Sequence, residues 1–151
     1  MPGPINFIEG GTVTSAQGFS AGATYAGLKT FAEDKLDLGL IISETLCVAA
    51  GVFTSSTIKS PTVTVNRGHL AQSPSRGIVV NAGIANACVG EQGNKDAREM
   101  ANLAAQKISS RPDEILVCST GVIGVELPMS LIRGGLTKIE LTRNGGHEVA
   151  R

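Results

Sequence analysis

The stretch best suited to chemistry is Ser119–Gly124, which follows the apolar run 115–118. Such a run is typical of a buried strand, so it predicts that a hydroxyl and a glycine lie at the strand's end. A threonine hydroxyl can donate a hydrogen bond, and glycine lets a backbone N–H approach a ligand without a side chain in the way. Thr120 and Gly121 therefore suit the oxyanion that develops during acyl transfer. From spacing alone, the favoured interpretation is that they are ordinary turn residues after a strand.

No residue of the chain is a convincing nucleophile for such a reaction. Cys118 lies within the apolar run and is expected to be an inert buried thiol, and Cys88 is expected to serve packing. His69 and His147 lack carboxylate or cysteine partners at a suitable spacing, so we predict surface histidines, no metal site and no Cys-His dyad. The sequence thus indicates one part of a shared active site, whose nucleophile comes from elsewhere.

Two other polar features are predicted to be structural. The glycine-rich segment 83–93 matches neither the dinucleotide nor the Walker phosphate pattern, so we interpret it as a loop before a helix. The anionic phosphates of a coenzyme could still bind at that helix's N-terminus, which is a hypothesis only. The adjacent carboxylates Glu33-Asp34 and Asp113-Glu114 lie in polar turn sequence and are predicted to be solvated, with no acid–base role.

Composition limits the class of protein. The chain has 151 residues, 42% of them hydrophobic, which suits one domain spanning 1–151. Thirteen basic and thirteen acidic residues balance, which argues against nucleic acid or membrane as a partner. Three isolated cysteines fit a reducing compartment, and neither a signal peptide nor a membrane span is visible. We expect a cytoplasmic protein.

Strands and helices must position the Ser119–Gly124 stretch, and both are visible in the pattern. Residues 1–19 are expected to form an irregular arm, and Asn94 is expected to cap the main helix. A final turn over 147–151 resembles the start of a helix that the chain does not complete, so we expect the intact gene product to be longer. The pattern predicts strands near 21–25 and at 36–43, 48–54, 61–65, 77–80 and 115–119, with helices at 94–109 and at 128–132, the latter ended by Gly134-Gly135. These elements predict an α/β layered domain whose sheet order is left open.

The chain resembles the ornithine acetyltransferase family, also called the bifunctional glutamate N-acetyltransferases of arginine biosynthesis. The match covers nearly the whole chain and is more specific than any single glycine motif. The matching segments are Gly10-Gly11, Thr14, Gly18-Phe19, 49–54, Lys59, 79–81, 86–88, 90–93, Asp96-Ala97, Glu99-Met100, 119–124 and 127–129.

The resemblance implies a layered mixed sheet with helices and a precursor that cleaves itself into α and β chains. This sequence is similar to the α side, so the resemblance implies a partner β chain whose N-terminal threonine is the nucleophile, in pairs of αβ units or larger assemblies. Thr120 and Gly121 then form the oxyanion hole for acetyl transfer from N-acetylornithine to glutamate. No metal or bound cofactor is implied, although acetyl-coenzyme A is a possible substrate. The family's α chain continues past Arg151 through a Thr-Thr-Asp segment and a lysine, so a truncated α portion is expected.

Two rival functions stay open on the residues alone. The first is a self-processing hydrolase with an N-terminal threonine, an amidohydrolase or aminopeptidase in which water takes the acyl group. The second is a non-catalytic subunit whose apolar surface completes a partner's fold.

Overall fold

The computed structural model describes Ile5, residues 7–29 and residues 35–150. The predicted Glu33-Asp34 pair lies outside these residues. The strands are β1 (Phe19–Thr24), β2 (Leu38–Cys47), β3 (Ser75–Ile84) and β4 (Ile115–Val122), and the helices are α1 (Pro61–Gln72), α2 (Gly90–Lys107), α3 (Met129–Lys138) and α4 (Gly146–Val149). Short 3-10 turns occupy Val13–Ser15 and Pro112–Glu114. The predicted α/β class is confirmed.

The four strands form one mixed sheet in the order β1-β2-β3-β4. β1 pairs with β2, and β2 with β3, in antiparallel fashion, whereas β3 and β4 are parallel. A parallel pair needs a crossover connection, and α2 supplies it. β4 lies at the edge of the sheet, and the chain reaches it from α2 through the 3-10 turn Pro112–Glu114.

The core lies between the sheet and α2 and α3. Leu38, Leu40, Val79 and Val117 of the strands are buried against Met100 of α2. Each large apolar side chain that is fully buried contributes about 1.5–3 kcal/mol to folding. Helix α4 packs on β1 and β2, where its Val149 lies against Gly39.

Helix α2 confirms the predicted apolar face, but it begins earlier than predicted. The helix starts at Gly90 rather than Asn94, and Val89 occupies the cap position. The predicted loop 83–93 is therefore mostly regular structure, because β3 continues to Ile84 before α2 begins. Glycines at 90 and 93 disfavour a helix locally, but Gly93 is buried where a Cβ would lie 2.7 Å from Asn86 Oδ1. Close packing thus outweighs helix propensity at this end.

The predicted strand at 61–65 is wrong, because these residues begin helix α1. Alternating threonine and valine favours a strand. However, Pro61 stands in the first turn of the helix, where its fixed φ suits a helix and its missing N–H leaves no hydrogen bond unmade. Packing against β4 and α2 then stabilises the helix.

The predicted strand at 48–54 is also wrong, since no helix or strand covers these residues. The side chains of Val48 and Val52 are fully exposed, so no neighbouring strand or core buries them. The other predicted strands are confirmed, with shifted ends. β2 begins at Leu38, after the predicted Leu36, and β4 runs to Val122, three residues beyond the predicted end.

The prediction for the carboxylates Asp113-Glu114 is wrong in part, whereas the predicted turn near the end of the chain is confirmed in part. Asp113 and Glu114 are not simply solvated: Asp113 pairs with Arg111 and accepts a hydrogen bond from Ser73, while Glu114 is buried. Hydrogen bonds from Arg111 and Ser73 lower the pKa of Asp113 well below its usual range.

The predicted turn at 147–151 is confirmed by α4 as far as residue 149.

Helix α3 runs through Gly134-Gly135, so the prediction that these glycines end the helix is wrong. A Cβ on Gly134 would meet no atom within 4 Å, whereas a Cβ on Gly135 would lie 2.7 Å from Ala26 Cβ and from Leu38 Cδ2. We expect Gly134→Ala to stabilise the protein by about 1 kcal/mol because it removes the glycine penalty in a helix. Gly135→Ala should destabilise it by about 1–3 kcal/mol through overpacking. Urea unfolding of both variants checks this, and equal shifts would contradict it.

Candidate active site

Thr120 and Gly121 lie at the carboxyl end of β4, beside the carboxyl end of β3. In the parallel register, Ala82 pairs with Thr120 and Gly83 pairs with Gly121. Ligands of open sheets with parallel strands often bind at this end, where neighbouring strands finish together. The side chain of Thr120 is exposed, and so is Gly121. Both residues can therefore contact a molecule approaching the sheet edge.

Gly121 occupies a position that only glycine fits. Its φ is +132°, and a Cβ would overlap the carbonyl group of Gly83 and lie 2.5 Å from the backbone nitrogen of Ile84. Gly83 also has a positive φ, +116°, and a Cβ there would lie 2.7 Å from the carbonyl oxygen of Leu28. Three backbone segments thus pack directly on one another, with no side chain between them.

The carboxylate of Asp37 holds the outermost of these three segments. It is buried just before β2 and accepts hydrogen bonds from four consecutive backbone N–H groups of residues 26–29, at 2.6–3.1 Å. Hydrogen bonds to an ionised acceptor are about twice as strong as neutral ones. Asp37 therefore fixes the loop whose Leu28 carbonyl lies against Gly83.

Side chains of α1 cover part of the outer edge of β4. The Asn66 amide accepts from the N–H of Val117 and donates to its C=O, both at 2.8 Å, and His69 Nδ1 donates to the Ile115 carbonyl at 2.7 Å. Backbone groups alternate in direction along a strand, so Gly121 directs its N–H to the same outer side as Val117. The N–H of Gly121 and the hydroxyl of Thr120 thus lie at one open corner of the sheet.

This corner supplies two donors on a rigid backbone. A carbonyl oxygen that gains negative charge there could accept from both the Thr120 hydroxyl and the Gly121 N–H. The assignment of these two residues to an oxyanion hole stays a prediction. Their proximity at an accessible strand end is the geometry that such an assignment requires.

The cysteines Cys88 and Cys118 and one of the two histidines are placed differently from the predictions. Cys88 and Cys118 are exposed, so the expected burial of both is wrong. Cys118 lies on the face of β4 opposite the one that packs on α2, although nearby atoms still desolvate its thiol and raise its pKa. A raised pKa keeps the thiol protonated, which makes it a poor nucleophile. His147 is exposed as predicted, whereas His69 is half-buried.

The described part of the chain offers no clustered metal ligands and no membrane-spanning helix. Within residues 7–29 and 35–150, no three His, Cys, Asp or Glu side chains cluster closely enough to bind a metal ion. None of the helices assigned there combines the length and the apolar character needed to cross a bilayer.

Sequence reasoning missed the supports of the site. Asp37 and Gly83 are distant along the chain from Gly121, and neither belongs to a recognisable motif. Two signals were available: Asp37 immediately precedes an apolar strand, and Gly83 stands near the end of the next. Neither signal identifies the partner residue.

Comparisons with known proteins agree with this architecture. The ArgJ family pattern matches residues 20–151. The arginine biosynthesis bifunctional protein ArgJ of Dehalococcoides mccartyi is 40% identical over 151 residues, which cover 100% of this chain and 37% of that protein. The ArgJ protein of Symbiobacterium thermophilum is 42% identical over 148 residues, 97% of this chain and 37% of its own length. The chain thus spans little more than a third of these relatives.

Two solved structures share the fold. The crystal structure of the arginine biosynthesis bifunctional protein ArgJ from Bacillus halodurans superposes with a TM-score of 0.87 and 35% identity, covering 93% of this chain and 74% of that one. The ornithine acetyltransferase from Mycobacterium tuberculosis, solved in complex with ornithine, gives a TM-score of 0.89 at 34% identity, covering 95% and 78%. The family pattern, the identities and the shared fold agree, and this chain belongs to the ArgJ family.

Proposed function

We propose that this chain is the α-chain part of an enzyme that moves acetyl from N-acetylornithine to glutamate in arginine biosynthesis. The single observation that carries the proposal is the rigid corner where Thr120 and Gly121 present two donors at the end of an edge strand. The likeness to an ornithine acetyltransferase that was solved with ornithine supports the substrate. The names of the ArgJ relatives support the pathway.

The nucleophile in this proposal is the N-terminal threonine of a β chain made from the same precursor. Its hydroxyl oxygen attacks the amide carbonyl carbon of N-acetylornithine, and its own α-amino group takes the hydroxyl proton. The electron pair of the C=O bond moves to oxygen, which accepts from Thr120 and Gly121. The C–N bond then breaks, the proton passes to the leaving amine, and ornithine departs from an acetyl-threonine ester.

The second half of the reaction reverses these steps with a different amine. The amino group of glutamate attacks the acetyl-threonine carbonyl, and the same two donors hold the second oxyanion. Collapse of this intermediate releases N-acetylglutamate and restores the threonine hydroxyl. No metal or bound cofactor takes part, and acetyl-coenzyme A is a further possible acetyl donor in the bifunctional form of the reaction.

The surface next to the candidate site has the character expected where a partner chain binds. Val122, Ile123 and Val125 follow Gly121 and are 57%, 65% and 46% exposed. Adjacent exposed apolar residues beside a polar site are typical of an interface. We assign this surface to the β chain, which brings its threonine to the corner and excludes water there; the complete enzyme is then cytoplasmic and made of paired αβ units.

Intact mass spectrometry of the natively purified full-length product tests the proposal. We expect a second chain that begins with threonine and gains one acetyl group after N-acetylornithine is added. Addition of glutamate should then remove that acetyl group and form N-acetylglutamate. Loss of the acetyl group at the same rate without glutamate would favour a hydrolase. A β chain that is never acetylated would favour a purely structural role for this chain.

A further inference from the structure

Asn81 is a fully buried polar residue of β3 that apolar packing does not explain. Its side chain is 0% exposed, and its Nδ2 donates to the carbonyl oxygen of Ile84 at 2.9 Å. Its Oδ1 has no hydrogen-bond partner among the residues that the structure describes, and neither has the buried Oγ of Ser119, its register partner on β4. A buried polar atom without a partner costs about 1–3 kcal/mol, so stability alone would favour an apolar side chain here.

The hydrogen bond from Asn81 to Ile84 requires a bent strand. In a straight strand a residue three positions further on lies about 10 Å away, which is beyond the reach of an asparagine side chain. The bend is at Gly83, whose φ of +116° departs from extended backbone. The Asn81 side chain therefore ties the two ends of this bend together.

The bend contacts the site through backbone atoms alone. A Cβ on Gly121 would overlap the carbonyl group of Gly83, so the two glycine backbones are in direct contact. Immediately after the bend, the N–H of Ala85 donates to the carbonyl of Val122 at 2.9 Å. Because no side chain intervenes to absorb a displacement, a shift of the bend moves the backbone at Gly121.

We propose that Asn81 is a positioning residue that sets the direction of the Gly121 N–H by fixing the bend at Gly83. The proposal rests on the proposed function for its effect on catalysis, since it assigns a support to the same pair of donors. It does not require Asn81 to contact substrate. Its effect on the backbone at residues 83–85 and 121–124 is independent of what the enzyme transfers.

Steady-state kinetics of Asn81→Ala in the complete αβ enzyme give the first test. Misplacing a catalytic group by about 1 Å can cost about 10²-fold in rate, so we expect kcat to fall about 10- to 100-fold. The KM for N-acetylornithine should change less than about twofold, because the variant disturbs a donor used mainly in the transition state.

Asn66→Ala is the matched control. It also removes an asparagine that bonds to backbone, and it acts on β4 four residues before Gly121. It should lower the unfolding midpoint and leave kcat within about twofold, because the contact between Gly83 and Gly121 stays intact. Equal losses of kcat in the two variants would overturn the proposal. So would a variant Asn81→Thr, similar in volume, that kept the wild-type kcat.

Hydrogen exchange separates this proposal from the proposed function. In Asn81→Ala, amides at 84–85 and 121–124 should exchange faster, with β1 and β2 unchanged. If the wild-type enzyme transfers no acetyl, the proposed function fails, and the exchange data still decide whether Asn81 holds the bend. Unchanged exchange at 121–124 would overturn the positioning role whatever the activity. Failure of both Asn81 variants to fold, while Asn66→Ala folds, would also overturn it in favour of a purely structural residue.

Discussion

Thr120→Ala is expected to lower kcat for acetyl transfer about 10²–10³-fold, the cost of removing one donor from an oxyanion hole. The hydroxyl would serve the transition state more than bound substrate, so kcat should fall more than KM changes. The side chain is exposed at the end of β4, so its loss leaves the core intact. Steady-state rates of the complete αβ enzyme with N-acetylornithine and glutamate measure the effect.

Two variants control for indirect effects at Thr120. Thr120→Ser keeps the hydroxyl and should recover most of the rate. Thr45→Ala removes another exposed strand threonine, on β2 near the opposite end of the sheet, and should leave kcat unchanged. A loss of less than about threefold in Thr120→Ala, where a donor should contribute at least about 10²-fold, would remove Thr120 from the site.

Gly121→Ala is expected to destabilise the protein strongly. The new Cβ would overlap the Gly83 carbonyl group, and the residue would have to keep a φ of +132°. Backbone strain and overpacking each cost about 1–3 kcal/mol, so together they should remove several kcal/mol of stability. Since domains have only about 5–15 kcal/mol in total, we expect little soluble enzyme and, in what remains, a loss of activity.

Gly124→Ala separates the cost of backbone strain from the cost of overlap between the new Cβ and neighbouring atoms. Gly124 also has a positive φ, +80°, but a Cβ there would meet no atom within 4 Å. The substitution should therefore lower the free energy of unfolding only by the backbone strain, about 1–3 kcal/mol, and give a folded enzyme. Thermal unfolding midpoints and soluble yields of the two variants test the difference. Equal destabilisation would show that the contact with Gly83 contributes little.

Local patterns predicted those parts of the fold that depend on local interactions. The apolar run before Ser119 became β4, and the apolar face of 94–109 became the buried face of α2, because each pattern matches the period of its element. The segment 61–65 was mispredicted because its threonines and valines favour a strand, while Pro61 and packing on β4 produce a helix. The strand predicted at 48–54 is wrong because these residues have no partner strand in the described sheet. No local sequence pattern reveals whether a partner strand is present.

The candidate site was likewise predictable from the sequence only in part. Thr120 and Gly121 could be named from sequence because a hydroxyl and a glycine follow an apolar run. Their supports could not, since the contact of Gly121 with Gly83 joins residues 38 positions apart. Which backbone meets Gly121 is decided by the parallel register of β3 and β4, and sequence alone left that sheet order open. The bend held by Asn81 becomes visible only with that register in place.

The covered edge of β4 also bears on self-association. An uncovered edge strand is a template for pairing with another chain, which can lead to aggregation. Asn66 and His69 occupy this edge at Val117 and Ile115, so an incoming strand would first have to displace them. Only the last few residues stay open, from Ser119 to Gly121, which is a length of about 7 Å. That length is too short for a stable intermolecular ladder, yet it is long enough for one small acyl group.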